Sequence, residues 1–178
     1  MRVLYRAKQF WFTLTATADP DATRMACALL SSQQMALFAR MHPAEQAHGL
    51  TVCLKLSSQG ETHPDLLVAA LLHDVGKSSS PMRLWERVII VLAKAVYPQG
   101  VKRWGYNHQG NQLPPRGWRH PFIVSECHPT WGADMAHQAG ISPLAETLIR
   151  RHQEPVVKDP QSLEDILLLK LQAADEES

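Results

Sequence analysis

Prolines divide this sequence into segments of helical length, and most of them open the segment that follows. Proline is tolerated in the first turn of a helix, where its missing N–H has no intrahelical partner, but it interrupts a helix interior. No stretch shows the alternating apolar pattern of a half-buried strand. The sequence therefore predicts an all-α fold, and its 178 residues suit a single-domain helical bundle with a substantial core.

Prolines, glycines and capping residues also place the helix ends. We predict helices over residues 20 to 41, 43 to 58, 62 to 74, 80 to 97, 129 to 139, 142 to 152 and 162 to 175. Gly76 is predicted to end the third of these in a left-handed conformation. Residues 99–119 are rich in glycine and proline, which predicts a long ordered loop of the kind that often acts as a lid. Residues 1–39 are predicted to form an N-terminal helical extension to a core of residues 40–178.

The composition of the chain limits the classes of binding partner and the cellular compartment that we expect. The formal net charge of +1 gives no reason to expect nucleic acid as the main partner. Three cysteines without a CxxC motif fit a reducing compartment, so the predicted location is the cytoplasm. No apolar stretch approaches the roughly 20 residues of a transmembrane helix. Residues 10–14 are predicted to be an aromatic-rich packing segment.

The predicted helix over residues 80 to 97 has a second interpretation. Trp85, Ile89 and Val96, together with Arg83, Arg87 and Lys94, could form a cationic amphipathic face for a membrane surface. A core helix with solvated basic residues is the favoured prediction. Because Lys102 and Arg103 follow closely, an anionic ligand near this helix also stays open.

Several polar side chains with metal-ligand chemistry fall on apolar helical stripes. They recur at the three-, four- or seven-residue spacing that places them in line with leucine, valine or alanine: His48, His73, Asp74, His152 and Asp175. One such residue is usually a hydrogen-bonded core residue, but several together indicate a shared metal. His128, at the predicted start of a helix, is added to this set. The remaining histidines are predicted to be surface or capping residues: His42, His63, His108, His120 and His137.

The order of these residues resembles the HD-domain superfamily of metal-dependent phosphohydrolases. The resemblance covers roughly residues 40–178, and its most specific parts are Ala70-Leu71-Leu72-His73-Asp74-Val75-Gly76-Lys77 and His128-Pro129-x-x-Gly132. Gln153 stands where some relatives have a second histidine, and Ala44 where the cyclic-dinucleotide branch has an acidic residue. No Gly-Tyr-Pro follows His152. These departures argue against the trinuclear branch that cleaves cyclic di-GMP.

The resemblance implies a metal centre of the HD-domain type. In it, His48, His73, Asp74 and Asp175 would hold one divalent ion, and His128 and His152 would complete a second site that Asp74 bridges. The implied cofactors are one or two ions of manganese, iron, nickel, magnesium or zinc. Asp74 and Lys77 are the predicted catalytic residues. Lys77 is a candidate phosphate contact, although it also fits a lysine that complements a helix end. Arg151 is a weaker candidate for substrate binding.

The predicted function is hydrolysis of a small phosphate ester, a nucleotide or related metabolite, by metal-activated water. Two alternatives stay open. One is an HD-type oxygenase with a di-iron centre, which shares the ligand plan. The other is an HD domain that binds a nucleotide or a partner without turnover.

Overall fold

The computed structural model describes residues 20–106 and 117–178, and these residues form helices and no strands. The predicted packing segment at residues 10–14 and the predicted surface residue His108 lie outside the described residues. The α-helices are α1 Pro20–Leu29, α2 Ser32–Phe38, α3 Pro43–Ser58, α4 Pro64–Leu72, α5 Leu84–Val96, α6 Pro98–Gly105, α7 His120–Gln138, α8 Pro143–Arg151 and α9 Leu163–Glu176, and a 3-10 helix spans Val75–Ser79. The all-α class is confirmed. None of the described helices is both long and apolar enough to cross a membrane.

Local capping chemistry sets most helix ends at the predicted places. Helix α3 begins after His42, whose ring nitrogen accepts a hydrogen bond from the Ala44 N–H at 3.2 Å. Helices α8 and α9 begin after Ser142 and Ser162, and each serine hydroxyl accepts from a backbone N–H three residues later. Gly60 follows α3 with a φ of +84°, in the left-handed region. His42 and His63 are N-cap residues, as predicted.

The prediction of one helix over residues 20 to 41 was wrong, because the chain starts a new helix at Ser32. The Ser31 hydroxyl accepts from the Gln34 N–H at 3.3 Å, and the Gln34 side chain accepts from the Ser31 N–H at 3.0 Å. This reciprocal capping box satisfies donors that a continuous helix would bond to the preceding turn. Residues of both short helices, including Ala26 and Phe38, belong to the main hydrophobic core.

The middle of the chain contains more helix than predicted. Helix α6 occupies Pro98–Gly105, which is the first part of the predicted loop, and residues 107–116 lie outside the described residues. Helix α7 begins at His120 instead of Pro129, because Pro121 already supplies a favourable first turn. Pro129 therefore lies inside α7, where it forfeits one backbone hydrogen bond. His128 consequently lies near the middle of this helix.

Helix α4 is the centre of the bundle because it is apolar on nearly every side. Its leucines and alanines are buried: Leu66, Leu67, Ala69, Ala70, Leu71 and Leu72. A short helix with this composition must be covered all round, and helices α3, α8 and α9 pack against it. His73 and Asp74 directly follow α4, so these two residues lie where the surrounding helices converge.

Helix α5 is less buried than the favoured core prediction required. Its exposed side carries large apolar side chains: Leu84, Trp85, Val88, Ile89, Leu92 and Val96. Val96 is 80% exposed. The opposite side of α5 contributes Ile90 to a small cluster with Val101 and Phe122. The helix is thus amphipathic, and the prediction that Trp85, Ile89 and Val96 pack in a core was wrong.

His120 was predicted to lie at the surface and is instead 1% exposed. Its Nδ1 lies 2.8 Å from Glu86 Oε1 and its Nε2 lies 2.9 Å from Ser80 Oγ. The other Glu86 oxygen accepts from the Arg83 N–H at 2.6 Å. This buried polar junction connects the start of α7 with the start of α5. The sequence around His120 could not reveal it, because both side-chain partners lie far away along the chain.

We expect Glu86→Ala to lower the free energy of unfolding by about 3 kcal/mol, because it leaves Nδ1 of the buried His120 without a partner and removes the cap of α5. Chemical denaturation of both proteins measures the difference. The control is Glu177→Ala, which removes a carboxylate from an exposed ion pair with Lys55 and should change stability by less than about 0.5 kcal/mol. Equal effects of the two substitutions would contradict a stabilising role for the junction.

Candidate metal centre

The six predicted metal ligands lie together at the convergence of five helical segments. They form two groups, and within each group the candidate ligand atoms lie within 4.8 Å of one another. The first group, called triad A, consists of His48, His73 and Asp175. The second, called triad B, consists of Asp74, His128 and His152. Helices α3, α7 and α9 carry His48, His128 and Asp175, whereas the residues after α4 and α8 supply the others.

Asp74 faces both triads. Its Oδ1 lies 3.2 Å from His128 Nε2 in triad B, and its Oδ2 lies 3.7 Å from His73 Nε2 in triad A. Within triad A, Asp175 Oδ1 lies 2.7 Å from His48 Nε2 and 3.6 Å from His73 Nε2. A carboxylate whose two oxygens face different ligand groups has the placement of a bridging ligand.

The three buried imidazoles are oriented by the backbone of their own helices. Nδ1 donates to the Ala70 carbonyl at 3.0 Å in His73, to the Val124 carbonyl at 3.1 Å in His128 and to the Ile149 carbonyl at 2.7 Å in His152. A carbonyl oxygen only accepts, so each Nδ1 carries a proton, and Nε2 is the nitrogen that offers a lone pair when the ring is neutral. Fixing the outer nitrogen in this way is how proteins orient metal-ligating histidines.

The inner nitrogens need a positive charge or a donor between them. His128 Nε2 and His152 Nε2 are 3.3 Å apart, and in the neutral tautomers both carry lone pairs. His73 Nε2 is buried and has no hydrogen-bond partner among the described residues. A cation would satisfy all three atoms, since imidazole nitrogen and carboxylate oxygen together suit first-row divalent metals. The residues present therefore fit a metal ion, and each triad leaves coordination positions for water or substrate.

The buried charges of the site compensate one another. Burial would raise the pKa of Asp74, but Lys77, His73 and His128 hold it well below its usual range. Asp175 is kept ionised in the same way, against burial, by His73 and His48. Burial opposes protonation of His73, yet the carboxylates of Asp74 and Asp175 raise its pKa to about 9. A proton on His73 thus partly balances the two carboxylates, and a metal ion would take over that role.

The histidines of triad B behave differently from His73. Burial, together with the neighbouring imidazoles of His73 and His128, lowers the pKa of His152 to about 3, although Asp74 opposes the shift. Burial also lowers the pKa of His128, although Asp74 opposes that shift. Both rings are therefore neutral near pH 7 and available to a metal ion without loss of a proton.

Gly76 brings the 3-10 helix into backbone contact with α7. A Cβ atom at this position would lie 2.0 Å from the His128 carbonyl oxygen and 2.6 Å from the Gly132 nitrogen. The prediction of a left-handed Gly76 was wrong, because positive φ angles among the described residues occur only at Gly60 and Gly140. Glycine is needed at position 76 for this close approach, which sets the separation of Asp74 and His128.

Two hydrogen bonds from the Gln172 side chain connect α9 with the end of α8. The side-chain amide of Gln172 donates to the His152 carbonyl at 3.2 Å and to the Glu154 carbonyl at 3.0 Å. Gln172 precedes Asp175 by one helical turn, so the same helix that supplies Asp175 also fixes the backbone of His152. The two triads are thereby linked through α9 as well as through Asp74.

A cavity of about 720 Å³ opens beside the triads. His152 and Asp175 lie on its wall, together with Lys94 and Lys102 from helices α5 and α6 and Arg150 from α8. Volumes of this size are typical of small-molecule sites. The wall thus combines two candidate metal ligands with cationic side chains.

Of the two cationic residues predicted to bind substrate, neither lines this cavity. The Lys77 ammonium lies 2.5 Å from Asp74 Oδ2, so it acts as the counter-ion of that carboxylate. The Arg151 guanidinium is engaged by Glu154, Glu164 and Asp165. Lys77 thus contacts Asp74 directly, whereas the cations on the cavity wall come from other positions.

Comparisons of this chain with protein-family models, with curated proteins and with solved structures each found no match.

We expect His152→Ala to lower the metal content by one ion per chain while triad A keeps its ion, because His152 contributes only to triad B. Elemental analysis of protein prepared without chelator gives the ratio of metal to chain. His137→Ala is the control, since that side chain is exposed and pairs with Glu146 outside the site. An unchanged ratio in His152→Ala would show that this residue is not a ligand.

Proposed function

We propose that this chain is a metal-dependent phosphohydrolase of the HD-domain type that acts on a small phosphate ester. The proposal rests on one observation: two groups of metal-competent residues, triads A and B, lie beside a cavity of small-molecule size, and the carboxylate of Asp74 faces both of them. Divalent ions at such a centre supply an activated water and neutralise the charge that develops on phosphoryl oxygens. The resemblance of the HD motif and of the later histidine and aspartate segments supports the same assignment.

Individual residues of the chain would have different roles at this metal centre. Asp74 would bridge the two ions, and Lys77, which does not line the cavity, balances the charge of this carboxylate. The Nδ1 hydrogen bonds of His73, His128 and His152 would keep the ligand nitrogens in place without further adjustment. Rigid placement of this kind is the main contribution of a protein to phosphoryl transfer.

The test combines metal analysis with a substrate screen. Protein purified without chelator is expected to contain at least one transition metal ion per chain. It should hydrolyse at least one ester in a panel of sugar phosphates and nucleotides when supplied with manganese, iron, nickel or magnesium. A chelator should abolish the activity, and re-addition of the metal should restore it. Metal-replete protein that hydrolyses no member of a broad panel would overturn the proposal, and oxygen consumption by iron-loaded protein would favour the oxygenase alternative instead.

A further inference from the structure

Lys94 lies on the inward side of α5, although lysine is normally a surface residue. It continues the stripe of Glu86 and Ile90, which are buried and recur at four-residue intervals. The large apolar residues of this helix face the other way, into solvent. Lys94 is half-buried and lines the cavity, where ion pairing or a ligand would compensate its ammonium for a partial loss of water.

The described part of the chain supplies no direct partner for this ammonium. Across residues 20–106 and 117–178, no hydrogen bond or ion pair to the Lys94 ammonium is formed. Two other lysines differ in this respect: Lys77 pairs with Asp74 at 2.5 Å and Lys170 pairs with Glu61 at 2.7 Å. Burial lowers the pKa of Lys94, the charge of Lys77 lowers it further, and Glu126, Asp74 and Asp175 oppose the shift. Its ammonium is therefore near the charges of the metal centre without contacting them.

The cavity connects this ammonium with the metal centre. Lys94 lines the same space as His152 and Asp175, so an anion beside the triads is within its reach. Lys77 does not line that space and is neutralised by Asp74. Lys94 is consequently better placed than Lys77 to contact a ligand phosphate.

The rest of the cavity wall limits the kind of molecule that would carry the phosphate. Three further carboxylates lie on it, Glu126, Glu154 and Glu176, together with the amide of Gln153. Carboxylates repel a phosphate but accept hydrogen bonds from hydroxyl and amino groups. The charges thus favour a molecule whose phosphate lies toward Lys94 and whose body carries hydrogen-bond donors.

We propose that Lys94 is a substrate-binding residue that holds a phosphate oxygen of a small polar phosphate ester, whose body donates hydrogen bonds to the carboxylates of the cavity. The inference rests on the proposed function for the identity of the ligand. A charge-assisted hydrogen bond in a partly desolvated site makes a large contribution to anion affinity. Removal of the charge therefore weakens phosphate binding without removing a metal ligand.

The test uses inorganic phosphate as the probe and isothermal titration calorimetry of the metal-replete chain. Lys94→Met should weaken phosphate binding about tenfold to hundredfold, with an unchanged metal content. Lys94→Arg, which keeps the charge, should recover most of the affinity. Lys170→Met removes a lysine that pairs with Glu61 and should bind phosphate as the wild type does. Lys94→Gln provides a second neutral variant if Lys94→Met folds poorly.

The outcomes separate this inference from the proposed function. Phosphate affinity within about twofold of wild type in either folded neutral variant would overturn the role of Lys94, even if the chain hydrolyses esters. Absence of phosphate binding by the metal-replete wild type would overturn it as well. If phosphate binds through Lys94 but no ester is hydrolysed, the anion site stands and the hydrolase proposal fails.

Discussion

Asp74→Asn is expected to lose both metal ions and phosphate ester hydrolysis together. The substitution nearly preserves volume but replaces an anion that faces both triads by a neutral amide with one acceptor oxygen. Triad B would then have no anionic donor, and triad A would keep only the carboxylate of Asp175. Metal per chain, thermal stability and hydrolysis rate, measured on the same preparation, test this expectation.

The fold should survive the loss of this carboxylate, although at reduced stability. The leucines of α4 are untouched, but Lys77 loses the oxygen that lies 2.5 Å from its ammonium. Because that lysine keeps some contact with water, we expect the free energy of unfolding to fall by only about 2 kcal/mol. A solvated residue at a helix end would give no more than about 0.5 kcal/mol, and Asp74, at 5% exposure, is not such a residue.

Asp65→Asn is the matched control for this variant. Asp65 lies at the other end of α4, and its carboxylate accepts a hydrogen bond from the Ser142 hydroxyl at 2.7 Å, away from the ligand groups. The control should keep wild-type metal content and activity. An Asp74→Asn protein with full metal content and full turnover would exclude the bridging role and the mechanism built on it.

Helical spacing predicted much of the candidate site because the ligands interrupt apolar stripes. His48 and Asp175 lie on helices whose boundaries proline and serine caps define, so their inward direction followed from counting residues. His73 and Asp74 follow the most apolar helix of the chain. In each case a local sequence pattern determined the direction of the side chain. The side chains converge because the apolar stripes that carry them are buried around one core.

Features that depend on distant partners did not follow from the sequence. His120 has the neighbours of a surface residue, and only the fold brings it to Glu86 and Ser80. Lys94 similarly belongs to a stretch of charged and apolar residues that fits a membrane surface, a core helix or a site for an anionic ligand. Its position on the cavity wall depends on how α5 packs beside α6 and α7.

Prolines correctly predicted several helix starts, but the predicted start at Pro129 was wrong, because this proline lies inside α7. Pro121 and Pro129 both precede helical sequence, and the earlier of them begins the helix. A proline nine residues or so into a helix removes one hydrogen bond, a loss that packing against the 3-10 helix and α8 can offset. The same packing places His128 beside Asp74, so the misplaced boundary left the predicted ligand set unchanged.

We expect Gly76→Ala to be the most destabilising small substitution in this region, with a loss of about 3 kcal/mol or more in the free energy of unfolding. The new Cβ would lie 2.0 Å from the His128 carbonyl oxygen and 2.6 Å from the Gly132 nitrogen, and both are backbone atoms that cannot rotate away. The 3-10 helix and α7 would therefore have to separate. For a chain of this size the melting temperature should fall by roughly 6 to 12 °C.

The same separation should disturb triad B before triad A. Asp74 and His128 lie on opposite sides of the contact that Gly76 permits, and their ligand atoms are only 3.2 Å apart. The Gly76→Ala chain is thus expected to lose the ion of triad B, which elemental analysis at a temperature below unfolding would detect. Gly117→Ala is the control, because a Cβ there would meet no atom within 4 Å. Wild-type stability and metal content in Gly76→Ala would show that the two helices do not need this close approach to hold the ligands.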